Sequence, residues 1–285
     1  MSDFRKSCVI GWPVNHSRSP LIHRFWLDKY NLSGDYTRES VNAENFPGFV
    51  RKLSEFGYCG ANVTLPYKEK ALALCDSTTE LATRLGAVNT LWFEGPCLRG
   101  DNTDVGGFLA NLDEQAPGWD RKGGPAVVLG AGGAARAVLA GLAARKIACV
   151  TLLNRSTERA LELVDEASSW GFERLAAEAL DPCGRSLEKV DLLINSTSLG
   201  MAGQPKLELD LSFLPDTALV SDIVYTPLET ELLKAARRRG LPTSSGLGML
   251  LHQAAPGFEH WFGVKPEVTP QLRALIEADV RRGET

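Results

Sequence analysis

Long apolar runs are missing from these 285 residues, and so is any excess of positive charge. The longest apolar stretch, residues 125–144, is broken by Arg136 and a cluster of glycines, which argues against a membrane span. The first ten residues, MSDFRKSCVI, lack the apolar core of a secretory signal. With 31 basic against 35 acidic side chains the formal net charge is −4. Neither nucleic acid nor an acidic membrane surface is therefore expected as the main partner. The six cysteines show no CxxC pair and no metal-ligand spacing, and the four histidines, His16, His23, His252 and His260, show none either. No metal is expected. The cysteines read as buried, reduced thiols, which implies a reducing, cytoplasmic setting. Repeats, linkers and low-complexity segments are also missing.

What the chain does contain is alternation. Residues 7–10, 36–41, 59–63 and 88–93 read as strands, and residues 20–30, 45–56 and 66–74 as helices between them. Pro20 and Pro66 each fall where a first helical turn tolerates a missing N–H, Ser19 can cap the first of these helices, and Gly57 stands where a helix end wants a left-handed residue. A second series follows, with strands at 126–129, 149–153, 192–194 and 219–223 and helices at 134–146, 158–170 and 231–239. The last 40 or so residues read as helical, with Thr269–Pro270 as cap and first turn, and carry too little apolar surface to stand alone. Such alternation implies an α/β chain of two domains built on largely parallel sheets. The expected divisions are 1–104 for a substrate-binding and catalytic domain, 105–246 for a Rossmann-type doubly wound dinucleotide-binding domain, and 247–285 for C-terminal helices that pack back on the first domain.

The dinucleotide expectation rests on Gly130-Ala131-Gly132-Gly133-Ala134-Ala135, which fits G-x-G-x-x-G/A between an expected strand and an expected helix. In that setting glycines allow a tight turn and close approach of backbone N–H groups to a pyrophosphate, while Ala135 lets the helix sit near the sheet. The next strand ends in Asn154-Arg155-Ser156, with Arg159 beyond. An acid there would hold the ribose 2′-hydroxyl of NAD; two guanidiniums and a hydroxyl instead favour the 2′-phosphate of NADP.

Loops of the first domain are rich in small polar groups. Ser17 and Ser19 stand at the start of a helix, where an anion such as a carboxylate is favoured. Thr64 closes a strand, and Lys68 lies in the first turn of the next helix, where the helix dipole disfavours a cation. Asn89 and Asp104 come from further loops or strand ends. Parallel topology gathers such ends on one edge, where Lys68 and Asp104 can meet as an acid/base pair.

These segments carry a resemblance. GWPVNHSRSP at 11–20, NVTLPYKE at 62–69, GAVNT at 86–90 and GDNTD at 100–104 are followed by NSTSLGM at 195–201, DIVYTP at 222–227 and GLGMLLHQ at 246–253. In this order, and over essentially its full length, the chain resembles the shikimate dehydrogenase family, which includes quinate-preferring members. The resemblance implies reversible, NADP-dependent reduction of 3-dehydroshikimate to shikimate in the synthesis of chorismate and aromatic amino acids, with Lys68 transferring the proton and Asp104 as its partner. It implies that Ser17 and Ser19 hold the carboxylate, and that Thr64, Asn89, Asp104 and Gln253 bind ring hydroxyls. It also implies that Tyr225 contacts substrate. Gly130, Ala131, Gly132, Gly133 and Ala134 are implied at the pyrophosphate, Asn154, Arg155, Ser156 and Arg159 at the adenosine phosphate, and Thr197, Ile223 and Gly246 elsewhere along the cofactor.

Ser19, where quinate-preferring relatives often have threonine, favours shikimate. Ser156 and Ser196 depart from the more usual threonine and alanine. A quinate/shikimate dehydrogenase using NAD is the nearest rival, and the two arginines argue against it. A non-catalytic dinucleotide-sensing regulator would be expected to lack Lys68 or Asp104. The expected partner is a small molecule, with the chain a monomer or homodimer.

Overall fold

The computed structural model describes residues 4–284. The chain divides into two compact units. One runs up to Asp104 and includes Gln253–Ile276; the other comprises Val105–His252 and the residues from Glu277 onward.

The first unit is built from β1 (Arg5–Gly11), α1 (Ser19–Lys29), β2 (Gly34–Ser40), α2 (Phe46–Arg51), β3 (Tyr58–Val63), α3 (Lys68–Leu72), β4 (Ser77–Thr78), α4 (Glu80–Leu85), β5 (Thr90–Glu94) and β6 (Cys97–Asp101). Its sheet has the order β2-β1-β3-β5-β6-β4. β1 pairs in parallel with β2 and β3, whereas β5 runs antiparallel to β3 and β6. The ends of β1, β3 and β6 and the start of β5 consequently share one edge, and the loops bearing Ser17, Thr64, Lys68, Asn89 and Asp104 all leave from it. Gly11 has no room for a side chain there: a Cβ would lie 2.5 Å from Thr64 Cγ2.

One face of this sheet is covered by Phe46, Val50 and Leu53 on Ile10, Ala61 and Leu91. Against the other lies an aromatic cluster in which His23, Trp26 and Tyr36 meet Phe258 and Trp261 from the C-terminal segment. Trp261 donates Nε1–H to Leu91 O at 2.8 Å across β3. Gly60 makes this contact possible, since a Cβ at that position would lie 2.1 Å from Trp261 Nε1. Phe258 and Trp261, both in the Gln253–Ile276 segment, thus pack on the sheet of the first unit.

The second unit carries α5 (Asp104–Gln115), β7 (Ala126–Leu129), α6 (Gly133–Ala144), β8 (Cys149–Asn154), α7 (Thr157–Glu166), β9 (Arg174–Ala179), β10 (Leu192–Asn195), β11 (Leu219–Asp222), α8 (Glu231–Arg238) and β12 (Thr243–Ser244). α9 (Leu247–Phe262) and α10 (Pro270–Glu284) each run from one unit into the other. The sheet is parallel throughout, in the order β12-β11-β10-β7-β8-β9. This is the doubly wound arrangement, whose strand order reverses between β7 and β10. Every residue of β7 is buried: Ala126 and Val128 pack with α5, α6 and α7, while Val127 and Leu129 face α8. A strand covered on both faces shows no polar alternation, which is why AVVL reads as a continuous apolar run.

Several local expectations are corrected. The helix expected over 45–56 stops at Arg51, after which i+3 bonds such as Leu53 N–H to Val50 O tighten the chain into turns. Gly57, at φ +79°, closes those turns rather than capping the helix. The Leu65–Pro66 peptide is cis and α3 begins only at Lys68, so Pro66 precedes the helix. Ser19 is the first helical residue and caps nothing. Of the cysteines only Cys8 is buried; Cys97, the first residue of β6, and Cys183, in a turn, are exposed. The Thr269 cap is present, with Leu272 N–H donating to its hydroxyl at 3.3 Å. No helix among the described residues is long and apolar enough to cross a membrane.

Candidate active site

In the first unit, Lys68 and Asp104 form the pair that their strand-end positions predict. Lys68 Nζ lies 2.5 Å from Asp104 Oδ2. The lysine side chain is 26% and the aspartate 16% exposed, so the pair is partly withdrawn from water yet still reachable. The other carboxylate oxygen accepts Asn89 Nδ2–H at 2.8 Å. Asn89 is itself fixed: its Oδ1 accepts Thr103 N–H at 2.9 Å and the Thr90 hydroxyl at 2.9 Å. Asp104 N–H donates to Asn102 Oδ1 at 3.1 Å, which sets where α5 begins. The lysine that the dipole of α3 disfavours is therefore offset by a carboxylate held at the start of another helix, where negative charge is favoured.

Ser17 is half-buried and Ser19 buried. Ser17 Oγ accepts Ser19 N–H at 3.3 Å and lies 3.2 Å from Ser19 Oγ, so the two hydroxyls sit side by side at the start of α1. The Arg38 guanidinium grips Ser17 O at 2.6 and 2.8 Å, pinning the loop. Thr64 is half-buried, with its N–H bonded to Ile10 O at 2.9 Å. Gln253 enters through its backbone, whose carbonyl accepts the Thr103 hydroxyl at 2.8 Å. Tyr225 lies in the second unit.

The glycine segment of the second unit occupies the turn between β7 and α6. Gly130 has φ +106°, open to glycine but strained for other residues, and its missing Cβ would lie 2.9 Å from Thr197 Cγ2. Gly132 is the extended residue before α6, with no side-chain cap. A Cβ at Gly132 or Gly133 would meet nothing within 4 Å, so the face above this helix start is open. Asn154 donates Nδ2–H to Ser156 O at 2.8 Å, shaping the turn after β8. Arg155 in that turn and Arg159 in the first turn of α7 are exposed, with no ion-pair partner among the described residues. Gly246 abuts Ile223 so closely that a Cβ would lie 2.1 Å from its carbonyl oxygen.

Family comparisons match both units. Residues 9–91 match the shikimate dehydrogenase substrate binding domain, 114–202 the shikimate/quinate 5-dehydrogenase domain, and 246–276 the shikimate 5′-dehydrogenase C-terminal domain. A shikimate dehydrogenase (NADP+) of Nitrobacter winogradskyi is 54% identical over 276 residues, covering 97% of each chain. The chain belongs to the shikimate dehydrogenase family. Among solved members of similar fold, shikimate 5-dehydrogenase of Thermus thermophilus, in complex with NADP(H) and shikimate, has a TM-score of 0.82 and 36% identity, covering 98% of this chain and 99% of that one. A quinate dehydrogenase of Corynebacterium glutamicum in complex with NAD has a TM-score of 0.87 and 31% identity, covering 97% of this chain and 100% of that one.

Within this shikimate dehydrogenase fold, sequence reasoning passed over the residues that hold the others. Asn62 Nδ2–H donates to Thr90 Oγ1 at 3.1 Å, and the Tyr36 hydroxyl donates to Asn62 Oδ1 at 2.6 Å, a buried support beneath Asn89. Asn195 and Asp222 do the same in the second unit. The available signal was a polar residue within or closing a buried apolar strand.

Proposed function

We propose that this protein is an NADP-dependent shikimate dehydrogenase, interconverting 3-dehydroshikimate and shikimate on the route to chorismate and aromatic amino acids. The Lys68–Asp104–Asn89 constellation carries the reading: an amine for proton transfer, oriented by a carboxylate that is itself oriented by an amide. The paired hydroxyls of Ser17 and Ser19 suit a substrate carboxylate, while Thr64, Asn89, Asp104 and Gln253 suit the hydroxyls of a small carbocyclic acid; Tyr225 is assigned to substrate by the family resemblance alone.

The second unit fits NADP. The open helix start at Gly132–Gly133 leaves backbone N–H groups free for a pyrophosphate, with Gly130, Ala131 and Ala134 beside them. Arg155 and Arg159, with Asn154 and Ser156, suit a 2′-phosphate. Thr197, Ile223 and Gly246 line the remainder. In functional terms residues 1–104 are assigned to the substrate and catalytic domain and 105–246 to the NADP domain, and of the C-terminal segment Gln253–Ile276 belongs with the first unit.

Bound NADP supplies the acceptor or donor of hydride at the ring carbon. Lys68 takes the carbinol proton as a free amine during oxidation, and as an ammonium returns it to the carbonyl oxygen during reduction. Asp104 holds the amine on line and accepts a neighbouring hydroxyl. Positioned proton transfer of this kind contributes about 10²–10⁴ in rate. We place the protein in the cytoplasm as a monomer or homodimer.

Steady-state rates with shikimate and quinate, each with NADP+ and NAD+, test the reading. Shikimate with NADP+ is expected to have the highest kcat/KM; a preference for quinate or NAD+ would overturn it.

A further inference from the structure

Beneath the surface of the second unit, three polar side chains are buried almost completely: Asn195 at 0%, Asp222 at 0% and Thr230 at 1% exposure. They form one connected network. Asp222 Oδ1 accepts Asn195 Nδ2–H and Val224 N–H, both at 3.0 Å, and Asp222 Oδ2 accepts the Thr230 hydroxyl at 2.7 Å. Among the described residues every partner is a donor and none is a cation. A carboxylate removed from water with no counter-charge is an expensive choice, and burial does push the Asp222 carboxyl up, to about 6, against the pull of its three donors.

The network reaches residues of the cofactor-facing edge. Asn195, turned by Asp222, accepts Thr197 N–H at 3.0 Å and the Thr197 hydroxyl at 2.7 Å on its own Oδ1, and its backbone carbonyl accepts Ile223 N–H at 3.0 Å. Thr197 Oγ1 then accepts Leu199 N–H at 3.0 Å. On the far side, Thr230 caps α8 by accepting Leu233 N–H at 3.4 Å. Thr197 contacts the Gly130 turn, and Ile223 lies against Gly246. One carboxylate therefore ties together the loops after β10 and β11 and the helix start behind them.

We propose that Asp222 is a positioning residue for NADP, clamping Thr197 and Ile223 in the geometry that receives the cofactor. The proposal rests on the reading of those two residues as cofactor-facing. An amide can reproduce the clamp: its oxygen would accept from Asn195 and Val224, and its NH2 would donate to the Thr230 hydroxyl. An alanine cannot.

Calorimetric titrations of NADP+ and of shikimate, done separately on wild type, D222A, D222N and T230V, make the test, together with hydrogen exchange of the ligand-free proteins. D222A is expected to weaken NADP+ by about 30-fold and leave shikimate within about twofold, while D222N returns to within about threefold of wild type. The Thr197 and Val224 amides should exchange faster in D222A than in D222N. T230V, which removes one donor, should weaken NADP+ by about fivefold with shikimate again unaffected. Should D222A not fold, D222N and T230V decide by the same criterion. Equal losses for both ligands, an unchanged NADP+ affinity in D222A or T230V, or a D222N as impaired as D222A would overturn the proposal. A wild type that binds shikimate but not NADP+ would instead overturn the cofactor reading, and the proposal with it.

Discussion

Lys68 Nζ and Asp104 Oδ2 lie 2.5 Å apart although 36 positions separate them in the chain. The sheet makes this possible, because β3 and β6 end on the same edge and each releases one of the two residues. Asp104 faces two donors at once, Lys68 and the Asn89 amide, and only a carboxylate offers both an acceptor.

Asp104→Asn should therefore cost more than its small change of shape implies. The new amide can accept from Lys68 or from Asn89 but not from both, and it leaves the ammonium without its counter-charge. A fall in kcat of about 10–100-fold with a raised KM for shikimate is expected in steady-state assays. Asn89→Ala, which leaves the ion pair in place, should cost less. Parameters within twofold of wild type for D104N would remove the carboxylate from the reaction.

Selectivity between the two dinucleotides should reside in the turn after β8 and the start of α7. Replacing Arg155 or Arg159 by alanine is expected to raise KM for NADP+ by about tenfold and to leave NAD+ within about twofold. Since both arginines are exposed, the effect should shrink with added salt. Equal changes for NADP+ and NAD+ would refute the assignment.

A pH dependence of stability is expected from His23. Its ring stacks on Tyr36 at 4.0 Å between centroids, fully buried, and neither ring nitrogen has a hydrogen-bond partner among the described residues. Burial holds the imidazole down at about 3, from 6.5, with the nearby Asn62 side chain opposing the shift only in part. Between those values the unfolded chain binds the proton and the folded one does not. This contribution to stability is complete above 6.5 and is lost as the pH falls toward 3, by up to about 1.4 kcal/mol per pH unit. Urea unfolding of wild type and His23→Phe at about pH 7 and about pH 5 should show a smaller acid loss in the variant. Identical losses would show that His23 is not the source.

Much of this was legible beforehand, for identifiable reasons. β7 spans Ala126–Leu129 as its unbroken apolar run predicts, and Gly130 marks its turn because the φ of +106° there strains any other residue. Lys68 stood out because it defies the dipole of its own helix. The edge strand β9 leaves no sequence signature, because it is half exposed and lacks a clear period of two. The clamp at Asp222 was illegible as such, since its partner Asn195 lies 27 residues away and only the β10–β11 register brings them face to face. Exposure of Cys97 likewise follows from its place at the start of β6 just after a turn, and that of Cys183 from a turn, neither of which the residue type reveals.

The most direct test of the account is single-turnover oxidation of shikimate by Lys68→Ala with saturating NADP+, read beside the affinity of the same variant for shikimate. A first-order rate lowered by at least about 100-fold is expected, with shikimate affinity within about threefold of wild type. A rate near that of the unaltered protein would contradict it.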